Sequence, residues 1–374
     1  MDEQRLTAFF KDLHAHPEVS GSEFRTTGKL REALEEAGVR ILPSGLQTGL
    51  VAEVGGLRPG RVIGLRCDID ALPVCEESGL AYASQNEGVM HACGHDFHAS
   101  ALLGAALLLK EREKELCGTV RLVFQPAEEY GNGAQAVIAT GLTADVQEFY
   151  ALHTYPPFPA GTLGIKEGPV MAAPDAFHIR IRGKGCHGAQ PHKGISPVPA
   201  AAALTLALQS ATGLVVDPFS PAVVTVTHLA AGNTWNVVPE AALIEGTVRT
   251  LREADRTALR GRIAAAASAC AGAYGCTARF EWEAGSAAVV NDPVLCAAAR
   301  DIALSMGFAV DRQEDTMSSE DFSDYLKSAP GVFIRVGTGG EYPNHHPRFT
   351  ADPAALWPAA QFLARLAETR GREK

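Results

Sequence analysis

The sequence predicts an α/β protein: an open sheet flanked by helices, interrupted by a smaller ferredoxin-like α+β domain. Three observations carry this. Short buried-type strands alternate with helical stretches toward both ends of the chain. Between Ala176 and Glu283 the order is strand-helix-strand-strand-helix-strand, the split βαβ pattern, complete in itself. Successive strand ends or loops carry metal-binding or acid-base residues, where open α/β sheets place their chemistry.

Leu6 to His14 spaces its apolar residues as a helix does, and His16-Pro17 ends it. Ser22 to Ala37 repeats the pattern, with Gly38 as its stop. Gly49 to Val54 and Arg61 to Arg66 read as strands around the turn-rich stretch Gly55 to Gly60. The second strand delivers Cys67-Asp68-Ile69-Asp70. Next, Met90 to His98 packs three histidines, a cysteine and an aspartate into nine residues. Imidazole, thiolate and carboxylate are the side chains that bind borderline-soft divalent metals. On a helix, at about 100° per residue, Cys93 and His95 would point to nearly opposite sides. They converge only on a turn or an irregular strand end, and Gly94 permits one. The stretch is therefore expected as a loop feeding a helix from Ser100 to Leu116. Thr119 to Phe124 is a buried-type strand ending in Gln125-Pro126-Ala127-Glu128-Glu129, and Phe149 to Leu152 a strand ending in His153.

The character changes near Pro169 to Pro174. Ala176 to Arg182 alternates, with Phe177, Ile179 and Ile181 against His178, Arg180 and Arg182, as in a strand with one buried face. A helix over Val198 to Gly213, strands Ala222 to Leu229 and Ala242 to Arg249, an Ala-rich helix Ala254 to Tyr274 and a strand Cys276 to Glu283 complete the domain. The expected division is 1–172 and 285–374 as one domain, with 173–284 inserted. After it come helices Pro293 to Met306 and Ser319 to Lys327, and a strand Gly331 to Val336. A Gly-rich loop holding His345-His346 leads to a closing helix, Leu356 to Thr369.

The 374 residues are 46% hydrophobic, enough for a large core, and the net charge of -10 argues against a nucleic-acid partner. No apolar run reaches the roughly 20 residues that span a bilayer, and the charged start, Met1 to Lys11, has no apolar signal core. The eight cysteines are scattered and form no disulfide framework. A reduced, cytoplasmic, soluble protein without a membrane partner is expected, with Cys67 and Cys117 as core residues.

The candidate ligands are Cys93, His95, Glu128, Glu129, His153, His345 and His346, with Asp68 and Asp70 nearby. They exceed what one tetrahedral ion takes. They suit two ions about 3.5–4 Å apart that share a bridging ligand and activate a water for amide hydrolysis. Neighbouring side chains on an extended backbone point opposite ways. Of Glu128 and Glu129, one can therefore coordinate while the other takes a proton from the water. His91 and His98 suit hydrogen bonding behind the ligands. His14 and His16 read as surface or loop-packing residues.

The motifs Arg66 to Pro73 (RCDIDALP), His91 to Asp96 (HACGHD), Gln125 to Glu129 (QPAEE), Leu152-His153 and Asn344 to Phe349 (NHHPRF) stand in a familiar order. In them the chain resembles the metal-dependent amidohydrolases of the aminoacylase and carboxypeptidase type. Its nearest branch includes hippurate hydrolase, the auxin-conjugate hydrolases and N-acetyldiaminopimelate deacetylase. The resemblance implies a mixed open sheet flanked by helices as a di-metal catalytic domain, with the inserted domain as lid and dimerisation surface. It implies the ligands Cys93, His95, Glu129, His153 and His345, with Cys93 bridging. It makes Glu128 the general base and acid and Asp70 an orienting aspartate. Asp68 stands where other branches have a ligand histidine, and Asn344 where they commonly have leucine. His187, in Gly185 to Ala189, matches a histidine that reaches the partner's site and polarises the scissile carbonyl. Asn236 and Arg249 match the substrate-carboxylate contacts. Thr316 to Phe322, with Glu320-Asp321, matches a segment near the site without an assigned role. The expectation is a homodimer with two divalent ions per subunit, Mn²⁺ or Zn²⁺ before Co²⁺ or Ni²⁺. Its substrate would be an N-acyl or N-aroyl amino acid. The rivals are a dipeptidase, a cysteine hydrolase built on Cys93, and a silent binding protein on the same fold.

Overall fold

A computed structural model describes residues 2–130, 132–312 and 314–373. The chain forms two compact units. The first comprises Met1–Gly168, Val290–Glu314 and Asp321–Lys374; the second comprises Pro169–Val289 and Asp315–Glu320.

The first unit opens on helices α1 (Glu3–Ala15) and α2 (Phe24–Glu36). Asp2 caps α1 by accepting from the Arg5 amide at 2.9 Å, and Leu6, Phe10 and Leu13 bury one stripe. Strands β1 (Arg40–Leu42), β2 (Leu50–Gly55) and β3 (Val62–Asp68) lead to helix α3 (His95–Glu111). Strand β4 (Thr119–Gln125), helix α4 (Gly133–Ala139) and strand β5 (Glu148–Tyr155) follow. The eight-stranded sheet has the order β1-β2-β4-β3-β5, then Gly331–Gly337, Thr162–Gly164 and Ala309–Asp311. It is mixed: β3 runs parallel to β4 and β5, and Gly331–Gly337 runs parallel to β5, while β2 is antiparallel to β4. The parallel centre leaves the ends of β3, β4 and β5 side by side, which is where the ligand motifs emerge.

Helix α3 is buried almost all round, as a helix in the middle of a core must be. A Cβ on Gly104 would stand 2.7 Å from Leu6 and 2.8 Å from Ala360, so glycine there allows α1, α3 and the helix Leu356–Gly371 to meet closely. That last helix is anchored by Arg370, which donates to Glu148 at the start of β5 over 2.8 and 2.6 Å.

Helix α3 begins at His95, five residues earlier than the expected Ser100. Gly94, at φ 83°, turns the chain into it. The polar residues of the first turn are then answered by distant partners. His14 Nδ1 meets Asp96 at 2.6 Å, and His98 Nδ1 meets Asp68 at 2.6 Å. The three-residue strands Arg40–Leu42, Thr162–Gly164 and Ala309–Asp311 are not among the expected ones, because a period of two has no room to show in them.

His14, expected as a surface or loop-packing residue, is buried, with Glu76 at 3.2 Å on its other nitrogen. Burial alone would lower its pKa. The adjoining Asp96 and Glu76 carboxylates outweigh that and hold it at about 10, against an ordinary 6.5. A raised folded pKa contributes stability that is complete below the unfolded value and is lost as pH rises through the folded one. Between pH 6.5 and about 10 the wild type should therefore lose a few kcal/mol of this contribution, at about 1.4 kcal/mol per pH unit as an upper limit. Urea unfolding at pH 6, 8 and 10 checks it. The gap between wild type and His14→Phe should close with pH, and a constant gap would contradict the buried ion pair.

In the second unit four antiparallel strands lie in the order Ala222–Ala231, Ala241–Thr250, Ala173–Arg182, Thr277–Ala284. Helices Pro197–Gln209 and Glu253–Ala273 cover the face that carries Phe177, Ile179, Ile181, Ile244 and Val248. Ser196 caps the first helix with Pro197 at its first position.

Candidate metal centre

The ends of β3, β4 and β5, the start of α3 and the loop after Gly331–Gly337 bring five donors together. Cys93 Sγ lies 3.5 Å from His153 Nε2 and 3.3 Å from His345 Nε2. His345 Nε2 lies 3.3 Å from Glu129 Oε1, which is 3.9 Å from His95 Nε2. Two triads within metal-binding reach, Cys93-His95-His153 and Cys93-Glu129-His345, share the cysteine, and a third joins Glu128 and Glu129 to His95. A shared thiolate is what a bridged ion pair requires.

The polar accounting fits bound metal. His95 Nε2 and Glu129 Oε1 are buried with no hydrogen-bond partner among the described residues. Two such atoms, both aimed at one spot, are costly unless a cation meets them. The tautomers agree. His95 Nδ1 faces Asp70 Oδ1 at 3.0 Å, and His153 Nδ1 faces the Thr154 carbonyl at 2.9 Å, so each ring turns the lone pair of Nε2 to the site. Asp70 also accepts from Ser20 Oγ at 2.6 Å and from the Glu129 amide at 3.0 Å. Burial opposes its ionisation, but these contacts hold its carboxyl below the usual range. Burial pushes the Cys93 thiol up to about 12 despite nearby His95. A buried thiol of that kind is a poor nucleophile unaided, which weighs against a cysteine hydrolase.

Glu128 and Glu129 sit on a turn, not on the extended backbone expected for them. Ala127 ahead of them has φ 52°, and the turn carries both carboxylates to the side of His95. Among the described residues His345 is the other non-glycine residue at positive φ, 68°. Ala127 and His345 thus both lie in the ligand loops, where strain is held in place by the surrounding structure. His346 points elsewhere, stacked on Tyr342 at 4.4 Å. Asn344 donates to the Cys93 carbonyl and to Thr154 Oγ1, both at 3.1 Å, and so ties the last ligand loop to the first.

Asp68 is fully buried against Arg66 Nη1, 2.7 Å away, and against His98. Burial resists its charge, but His95, Arg66 and His98 hold its carboxyl well below the usual range. His98 Nε2 accepts from the Thr154 amide at 2.8 Å, so its proton sits on Nδ1, toward Asp68. Arg66 also donates to Asp321 at 2.8 Å and to Gln125 at 2.9 Å, and Gln125 donates to Asp321. Asp321, expected near the site but without a role, is thereby the partner of Arg66 and Gln125 at the ends of β3 and β4.

The other three predicted residues lie in the second unit. His187 is exposed; its strand pairs with Val237–Val238, which sets Gly188 against Asn236 at 2.8 Å. The Ala189 amide donates to His187 Nδ1 at 3.1 Å, which leaves the proton on Nε2. Arg249, on Ala241–Thr250, is half-buried.

Donors for a metal pair, with a second carboxylate beside them on a mixed α/β sheet, are the equipment of a metal-dependent hydrolase that acts on amides. The chain belongs to peptidase family M20/M25/M40, whose sequence pattern matches residues 64–369. N-acetyl-L-cysteine deacetylase of Bacillus subtilis (strain 168) is 43% identical over 361 residues, 96% of this chain and 87% of that protein. Thermostable carboxypeptidase 1 of Saccharolobus solfataricus is 36% identical over 355 residues, 92% of this chain and 90% of that one. The crystal structure of a Bacillus subtilis dinuclear metal binding peptidase from the M20 family superposes with a TM-score of 0.90. It is 41% identical and covers 98% of both chains.

Proposed function

We propose that this chain hydrolyses N-acyl or N-aroyl amino acids to a carboxylic acid and a free amino acid. The observation that carries the reading is the pair of donor triads sharing Cys93, with Glu128 in reach of the same histidine. Cys93, His95, Glu129, His153 and His345 would hold two divalent ions, Mn²⁺ or Zn²⁺ by preference and Co²⁺ or Ni²⁺ as substitutes. When bound, such ions polarise a carbonyl and make water more acidic. Glu128 takes the proton from the attacking water and returns it to the leaving amine. Asp70 keeps His95 in its binding tautomer. His187 offers its Nε2 proton to the developing oxyanion, and Asn236 and Arg249 hold the substrate carboxylate. Eight unbridged cysteines support a reducing, cytoplasmic setting.

The test is a screen of the metal-reconstituted protein on N-acetyl, N-benzoyl and indole-acyl amino acids beside dipeptides. Acylated amino acids should turn over, stop with chelator and recover with Mn²⁺ or Zn²⁺. Dipeptides alone turning over would make the chain a dipeptidase, and activity that survives chelation would sink the metal mechanism.

The proposal includes a homodimer through the second unit, which exposes Leu206, Leu214 and Phe219 within one short stretch. If His187 serves the partner's site, mixing Glu128→Ala with His187→Ala subunits should restore one working site per heterodimer. No recovery in verified heterodimers would confine His187 to its own chain.

A further inference from the structure

We propose that Arg335 reads a carboxylate beside the metal centre, so that preferred substrates carry a negative charge besides the carboxylate of the amino acid released. The inference rests on the amidohydrolase reading above.

The strand Gly331–Gly337 runs parallel to β5, with Arg335 opposite His153 and Gly337 opposite Tyr155. Residues opposed in register share a face of the sheet. Arg335 therefore stands on the face of the ligand histidine, one strand over. Its guanidinium lies over the Tyr155 ring at 4.3 Å, and Tyr155 meets Phe158 edge-on at 4.8 Å. Cation–π attraction to the ring does not use up the N–H donors of the guanidinium, which remain for a planar acceptor.

Among the described residues no carboxylate forms an ion pair with it, and Glu314 acts on it only as a charge in the surroundings. Among the described residues, the buried and half-buried arginines Arg25, Arg61, Arg66, Arg121, Arg256 and Arg370 each meet a carboxylate. Arg249 and Arg335 have no such ion pair. Arg249 is already proposed to meet the substrate carboxylate. Arg335 is half-buried, and burial lowers its pKa against the pull of Tyr155, Glu314 and Cys93. A guanidinium drawn out of water without a carboxylate hydrogen-bonded to it is costly. A visiting carboxylate, held edge-on through paired N–H donors, removes that cost. The carboxylate can sit on the acyl group or on the amino-acid side chain, and two matched pairs of compounds separate the sources.

The experiment measures binding by calorimetry to metal-loaded Glu128→Gln, which holds substrate without consuming it. N-succinylalanine is set against N-butyrylalanine, and N-acetylglutamate against N-acetylglutamine. In one pair the dianion should bind about 10- to 100-fold more tightly, the range of hydrogen bonds to charged groups. That pair identifies the source. Adding Arg335→Gln should abolish the preference, and Arg335→Lys should keep part of it. The proposal is overturned by the absence of a preference in both pairs, or by one that survives Arg335→Gln. It is also overturned if Arg335→Gln lowers metal content and weakens all four compounds alike, since Arg335 would then serve Cys93. If the preference holds but wild type hydrolyses none of the four, the reaction assigned above fails and Arg335 stands as a carboxylate binder.

Discussion

Glu128→Gln should lower kcat by roughly 10²–10⁴ while the protein keeps its metal and its stability. Glutamine preserves the shape of the side chain and removes only its capacity to take a proton. The proposed ligand on this turn is Glu129, whose Oε1 faces His345 and His95, so the donor set survives the change. A base that acts only in the transition state lowers kcat and kcat/KM together and leaves KM near its starting value. Metal analysis, thermal unfolding and steady-state kinetics on one preparation separate the possibilities. Near-normal turnover would remove Glu128 from the role. Loss of metal along with activity would make it a ligand, and the turn at Ala127 would then present two coordinating carboxylates rather than one ligand and one base.

Much of this centre could be read from residue types alone. Thiol, imidazole and carboxylate crowd into His91 to Asp96 and Gln125 to Glu129, and no core needs them there. The resemblance then picked five donors, which the structure brings within one cluster although His345 lies far along the chain from Cys93. What could not be read is who stands behind them. His98 turns to Asp68, Asp321 to Arg66 and Gln125, His14 to Asp96, and Asn344 to the Cys93 carbonyl. Each is a single polar residue whose partner is chosen by topology, and no spacing in the sequence marks it. The backbone was hidden for the same reason. The left-handed turns at Ala127 and His345 fall on residues that do not advertise them, whereas Gly94 did. The early start of α3 follows from both effects, since its polar first turn is tolerable only because Asp68 and His14 come to meet it.

Arg66→Met should destabilise the protein by about 3–5 kcal/mol at neutral pH, the usual result of breaking a buried ion pair from one side. Arg66, Asp68 and Asp321 are each 2% exposed or less. One guanidinium answers both carboxylates and the Gln125 amide through separate donors. Methionine fills much of the volume but strands two charges. The direction with pH follows from Asp68, whose carboxyl is held below its ordinary 3.8 by His95, Arg66 and His98 in spite of burial, and not from Asp321, whose carboxyl burial raises against the pull of Arg66 and Gln125. A depressed folded pKa contributes stability at neutral pH that is lost as pH falls. Without Arg66 that depression shrinks, so the gap between variant and wild type should narrow from pH 7 toward pH 4 in urea unfolding. Adding Asp68→Asn and Asp321→Asn should recover most of the loss, because removing all the charges is far less costly than orphaning two. A single variant within about 1 kcal/mol of wild type at pH 7, the scale of a surface pair, would mean that the cluster is not held by charge. Metal content separates fold from site: if the network also sets the ends of β3 and β4, Arg66→Met should bind metal more weakly even where it remains folded.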